Sequence, residues 1–91
     1  MTRIELFKKA LAECQRLLQQ YPDERSLKSV ENQLLYLIDL EEGRRQDRNL
    51  LAKINLGLIA AREIEDLELP FAELLHKVSA QADQMRRDAG L

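Results

Sequence analysis

Residues 50–70 read LLAKINLGLIAAREIEDLELP. From Leu50 to Ala61 only Lys53 and Asn55 are polar, and a helix that is apolar nearly all round is buried on several sides. The run predicts a central helix that starts near Asp47 or Asn49, either of which can cap it, and ends near Glu65. Gly57 sits against that reading, since a mid-helix glycine costs about 0.5–1 kcal/mol relative to alanine. Gly57 and Ala61 fall one turn apart on one helix face, with Ala60 beside them. Small residues there let another group come close, either a neighbouring helix or a side chain of a partner protein. Beyond Ala61 the run turns acidic: Glu63, Glu65, Asp66 and Glu68 fall within six positions, opposed only by Arg62. Glu73 extends the acids past Pro70. Carboxylates near the C-terminal end of a helix oppose its dipole, which leaves a solvated turn or a docking surface for a positively charged cleft as the two readings.

The rest of the chain is helical in its periodicity, with no alternation long enough for a strand. A first helix is predicted over Thr2–Gln20. Thr2 followed by Glu5 makes a capping box, and Leu6, Ala10, Leu11, Cys14, Leu17 and Leu18 form its stripe. Pro22 ends it after Tyr21, because the residue before proline leaves the α region. A second helix is predicted over Asp23–Glu42, with Asp23 and Glu24 favourable to its dipole. Its stripe of Leu27, Val30, Leu34, Leu37 and Ile38 is widened by Leu35, Tyr36 and Leu40, and Gly43 suits the position after its end. A fourth helix starts near Pro70, a residue favoured in a first turn. Its stripe is Phe71, Leu74, Leu75, Val78, Ala82 and Met85, and Gly90 lies past its end. Short connections favour antiparallel neighbours. The expected fold is therefore all-α, a small antiparallel bundle of about four helices, with residues 1–91 as a single domain.

Ninety-one residues with 45% hydrophobic and 33% charged residues suit one small globular domain. A net charge of −2 argues against a general nucleic-acid binder and against an anionic membrane surface as partner. Cys14 is the one cysteine, so no intramolecular disulfide forms, which suits a reducing compartment. The first residues, MTRIELFKKALAECQRLL, are too charged for a signal peptide, and no apolar stretch is long enough to span a bilayer. A cytoplasmic location is expected.

Catalytic chemistry is sparse. His76 is the single histidine and reads as a partly buried or surface residue of the fourth helix. Cys14 lies on an apolar stripe and reads as a core thiol. No cluster of cysteines and histidines has metal-ligand spacing, and isolated Gly57 does not make a phosphate loop. Glu41 and Glu42 are adjacent and point to different sides of a helix. No enzyme activity, cofactor or metal is expected.

Three strings carry a resemblance: Gln33-Leu34-x-Tyr36-Leu37; Asp47-Arg48 with Leu51; and Leu56-Gly57-x-Ile59-Ala60-x-x-Glu63. Together with Tyr21-Pro22, they resemble small type VI secretion immunity proteins, of the pseudomonad kind that neutralises a secreted NAD(P)+ glycohydrolase toxin. The similarity runs from about residue 4 to residue 78. Gln33, Tyr36, Gly57 and Glu63 match the pattern; Glu65, Asp66 and Glu68 lie where that family is also acidic, in a different order. The resemblance implies an all-helical antitoxin that binds a cognate toxin domain and covers its active-site cleft. Glu63, Glu65, Asp66 and Glu68 are then the expected toxin-binding residues, with Tyr36 and Gln33 beside them.

Two other classes stay open. The wide apolar faces of helices two and three suit a self-associating structural subunit, such as a homodimer. The basic loop Arg44, Arg45 and Arg48 and the tail Arg86 and Arg87 suit a small DNA-binding regulator.

Overall fold

Thr2 opens the first helix as its sequence predicts. In the computed structural model, which describes residues 1–91, α1 spans Arg3–Gln20. The Glu5 N–H donates to Thr2 Oγ1 at 3.2 Å and the Thr2 N–H donates to the Glu5 carboxylate at 2.9 Å, closing the capping box. Those bonds to Thr2 hold the Glu5 carboxyl below its ordinary range. The buried line is Phe7, Ala10, Cys14 and Leu17, while Leu6, Leu11 and Leu18 pack at the margin of the core. Phe7 thus takes the place at the centre of the stripe.

The chain turns through Pro22 and Asp23 and enters α2 at Arg25–Glu41, two residues later than Asp23. The Glu24 N–H donates to the Tyr21 carbonyl at 3.1 Å, which keeps residues 21–24 in a turn. The Glu24 carboxylate then accepts the Ser26 hydroxyl at 2.9 Å instead of capping the helix. Seven residues of α2 are buried, from Leu27 to Leu40, whereas Leu35 faces outward. Gly43 follows the helix at φ 77°, the left-handed conformation expected of it.

The stretch from 49 to 65 departs from the expected single helix. It forms a 3-10 helix at Asn49–Lys53, a break, α3 at Leu56–Ile59 and a π-helical turn at Ala60–Ile64. Ile54 is extended at φ −66° and ψ 126°, and Asn55 lies at φ −133° and ψ 33°. The break keeps Leu51, Leu56, Ala60 and Ile64 all buried, a spacing that an unbroken 3.6-residue helix would carry off the core face. The expectation of burial on several sides fails too: Leu58 is 49% exposed, and Ala61 is exposed while Ala60 is buried. Gly57 does face a neighbour, as the close-approach reading expected. A Cβ there would lie 2.9 Å from Ser79 Oγ of the last helix.

That last helix, α4, spans Leu69–Asp88 with Pro70 in its first turn. Phe71, Ala72, Leu75, Val78, Ala82 and Met85 are buried, and Leu74 sits at the margin. The buried side chains of all these elements form one hydrophobic cluster, and no polar or charged residue is buried. The Cys14 thiol belongs to it and donates to the Leu27 carbonyl at 3.3 Å, joining α1 to α2. The chain is all-α, a small bundle measuring 35 × 25 × 22 Å. No helix is long and apolar enough to cross a membrane.

Candidate interaction surface

The segment from Asn55 to Leu69 runs along one side of α4. Its inner line is Leu56, Ala60 and Ile64. Its outer line carries Leu58, Ala61, Arg62, Glu63, Glu65 and Asp66, all exposed. The π turn sets which residues face out. The Glu65 N–H reaches back five residues to the Ala60 carbonyl at 2.9 Å, and the extra residue widens the turn. Leu69 at the far end is 53% exposed, so the acids lie between two exposed leucines.

The four expected acids divide into two pairs. Glu68 accepts Arg16 Nη2 at 2.5 Å, and Arg16 also binds Glu13. Glu65 lies 3.2 Å from His76 Nε2. These two carboxylates tie the segment to α1 and α4. Glu63 and Asp66 make no ion pair or side-chain hydrogen bond within the chain and point to solvent. Their sequence gave no hint of this division, because the tethers come from Arg16 and His76, remote in the chain.

Gln33 and Tyr36 are placed on α2, away from the acids' outer line. Gln33 Nε2 donates to Asn55 Oδ1 at 2.7 Å and to Ser29 Oγ at 3.1 Å. The Asn55 N–H donates back to Gln33 Oε1 at 3.0 Å. Tyr36 is 7% exposed, and its hydroxyl donates to the Asp47 carbonyl at 2.7 Å. The Arg45 guanidinium lies over its ring, 4.8 Å from the centroid. Burial, with Asp47 beside it, raises the Tyr36 pKa. Both side chains hold loops, and their outer edges line a groove of about 190 Å³ with Leu50, Lys53 and Ile54. Asn55 is the residue that sequence reasoning missed; a polar residue isolated in an apolar run was the available signal.

Seven of the fourteen Lys and Arg side chains are ion-paired within the chain. Arg44 pairs with Asp39 and Glu42, and Arg45 lies 4.0 Å from Asp47. Arg86 and Arg87 both pair with Asp83, whose carboxyl they hold below its ordinary value. Glu41 pairs with Arg3 and Glu42 with Lys8. Cys14 is fully buried and burial pushes its thiol up to about 12, far from the range of a nucleophile. No group of three or more His, Cys, Asp and Glu side chains is placed to hold a metal ion.

The Tsi6 family model matches residues 2–84. A chain in the structure of Tse6 in complex with Tsi6 is 32% identical, with a TM-score of 0.87, covering 100% of this chain and 95% of that one. The structure of Tsi6 from Pseudomonas aeruginosa is also 32% identical, with a TM-score of 0.85, covering 90% of this chain and 85% of that one. No curated protein matches the chain.

Proposed function

The chain belongs to the Tsi6 family, and from that membership we propose that it is a type VI secretion immunity protein, which binds a Tse6-like toxin domain and occludes its active site. The observation that carries this reading is the whole-chain likeness to a chain of the Tse6–Tsi6 complex. The mechanism needs no chemistry from this protein. It requires a rigid face that fills the toxin's cleft and keeps substrate out. Interfaces of standard size bury about 800 Å² per partner, against a total accessible surface of 5522 Å² here. One side of the bundle therefore suffices.

The docking side is the segment Asn55–Leu69. Glu63 and Asp66 supply free carboxylates, Glu65 and Glu68 tether the segment that presents them, and Leu58 offers an apolar contact. A cleft built for a phosphate-bearing substrate is positive, so carboxylates complement it and speed encounter. The toxin's substrate is a dinucleotide of the NAD(P)+ type, and the protein acts in the cytoplasm of the cell that makes the toxin. Gln33 and Tyr36 contribute by holding the neighbouring loops.

The test is co-expression with the toxin domain encoded beside this chain's gene. Growth should be rescued, cellular NAD+ should be preserved, and the two proteins should co-purify. A toxin domain that stays fully active and unbound in the presence of this protein would overturn the reading.

A further inference from the structure

We propose that Gln33 is a positioning residue for docking: its paired amide bonds to Asn55 fix the start of the acid-bearing segment in the orientation that the toxin recognises. The inference rests on the docking side proposed above. The segment cannot hold itself in place. Its α3 portion has four residues and its π turn five, and a helix this short is unstable without tertiary contacts. Leu56, Ala60 and Ile64 anchor its inner line, while its ends need separate ties. At the far end, Arg16–Glu68 and His76–Glu65 provide them.

At the near end the tie is the Gln33–Asn55 pair. It joins residues 22 positions apart through two hydrogen bonds of opposite direction, 2.7 and 3.0 Å long. The bond to Ser29 holds the Gln33 amide against α2. Asn55 occupies the position before α3, yet its side chain makes no capping bond to that helix. An asparagine there ordinarily caps; here its carbonyl oxygen is given to Gln33. Its backbone N–H is given to Gln33 as well, so one side chain fixes both the backbone and the side chain of the elbow. Without that tie the elbow samples more orientations, and apparent affinity falls with the fraction that remains competent.

The experiment measures toxin-domain affinity, association rate and thermal midpoint for Gln33→Ala, Asn55→Ala, the double variant, Thr2→Ala and E63K/D66K. Gln33→Ala is expected to weaken binding about fivefold, as two solvent-exposed hydrogen bonds of small net worth are lost. Asn55→Ala keeps the backbone N–H bond to Gln33 and should weaken binding less, and the double variant should be no weaker than Gln33→Ala, which already breaks both bonds. Thr2→Ala breaks the capping box at the start of α1, which carries none of the docking acids. It should lower the midpoint and leave affinity unchanged. Additive losses from Gln33→Ala and Asn55→Ala would mean two separate contacts with the toxin and would overturn the inference. So would unchanged binding by Gln33→Ala alongside binding lost in E63K/D66K, and that result would leave the docking side standing. Binding unchanged in E63K/D66K would instead remove the docking side, and this inference with it.

Discussion

Gly57 is tolerated for what surrounds it. Its missing Cβ would sit 2.9 Å from Ser79 Oγ and 3.5 Å from Ser79 Cβ. The first contact is a hydroxyl that rotates away; the second is ordinary packing. Alanine also recovers helix propensity. Gly57→Ala should therefore change stability by less than about 1 kcal/mol, whereas Gly57→Val, whose branches cannot turn from Ser79, should cost about 1–3 kcal/mol. Urea denaturation separates the two; equal losses would mean that α3 and α4 tolerate no added atom. Cys14 gives a residue-scale prediction with a sign. Its thiol titrates near 9.0 when unfolded and is pushed up to about 12 in the fold, chiefly by burial. Between those values the folded state binds a proton that the unfolded state has lost, so stability falls as pH rises through that window. Stability measured from pH 8 upward should fall less steeply in Cys14→Ala than in the parent. Parallel curves would show that the thiol does not contribute.

The elements differ in how much of their cause is local, and that decides which were legible in the sequence. The limits of α1 and α4 follow from Thr2 with Glu5 and from Pro70, all within the elements themselves. The end of α2 follows from Gly43 at positive φ. The third helix is broken where its sequence predicts a continuous one, because every residue from 50 to 65 except Gly57 suits a helix and what divides the run lies elsewhere. Gln33 takes the Asn55 amide, Ser79 fills the space beside Gly57, and the core takes Leu51, Leu56, Ala60 and Ile64. The candidate site shows the same contrast. The acids were visible as a run, but their division into tethers and free carboxylates was not, since Arg16 and His76 come from other helices. An element held by remote ties opens more readily than helices of 17 to 20 residues. Native-state hydrogen exchange should therefore release amides 56–64 before the central amides of α1, α2 and α4. Protection equal to that of α1 would make the segment part of the global core.

Across the whole molecule, a net charge of −2 says little, because many charges are neutralised by close partners. Lys8 and Arg44 hold the Glu42 carboxyl below its usual range, and Arg86 and Arg87 do the same for Asp83. What reaches a distant partner is the uncompensated remainder, and Glu63 and Asp66 are the part of it that the proposed docking side carries as free carboxylates. Exposed charges act over roughly 10 Å at 0.1 M salt, so their effect belongs to the approach of the toxin more than to the finished complex. Reversing both in E63K/D66K should slow association about tenfold or more at low ionic strength, with a smaller change in dissociation. The difference from the parent should shrink as salt is added, and the helical circular dichroism should not change. Glu68→Lys is expected to behave differently: it breaks the tie to Arg16, so it should also lower the thermal midpoint. Stopped-flow association across a salt series distinguishes the two roles. If Glu68→Lys and E63K/D66K slowed binding with the same salt dependence and the same loss of stability, the acids would act as one field and the division between tethers and contacts would be wrong.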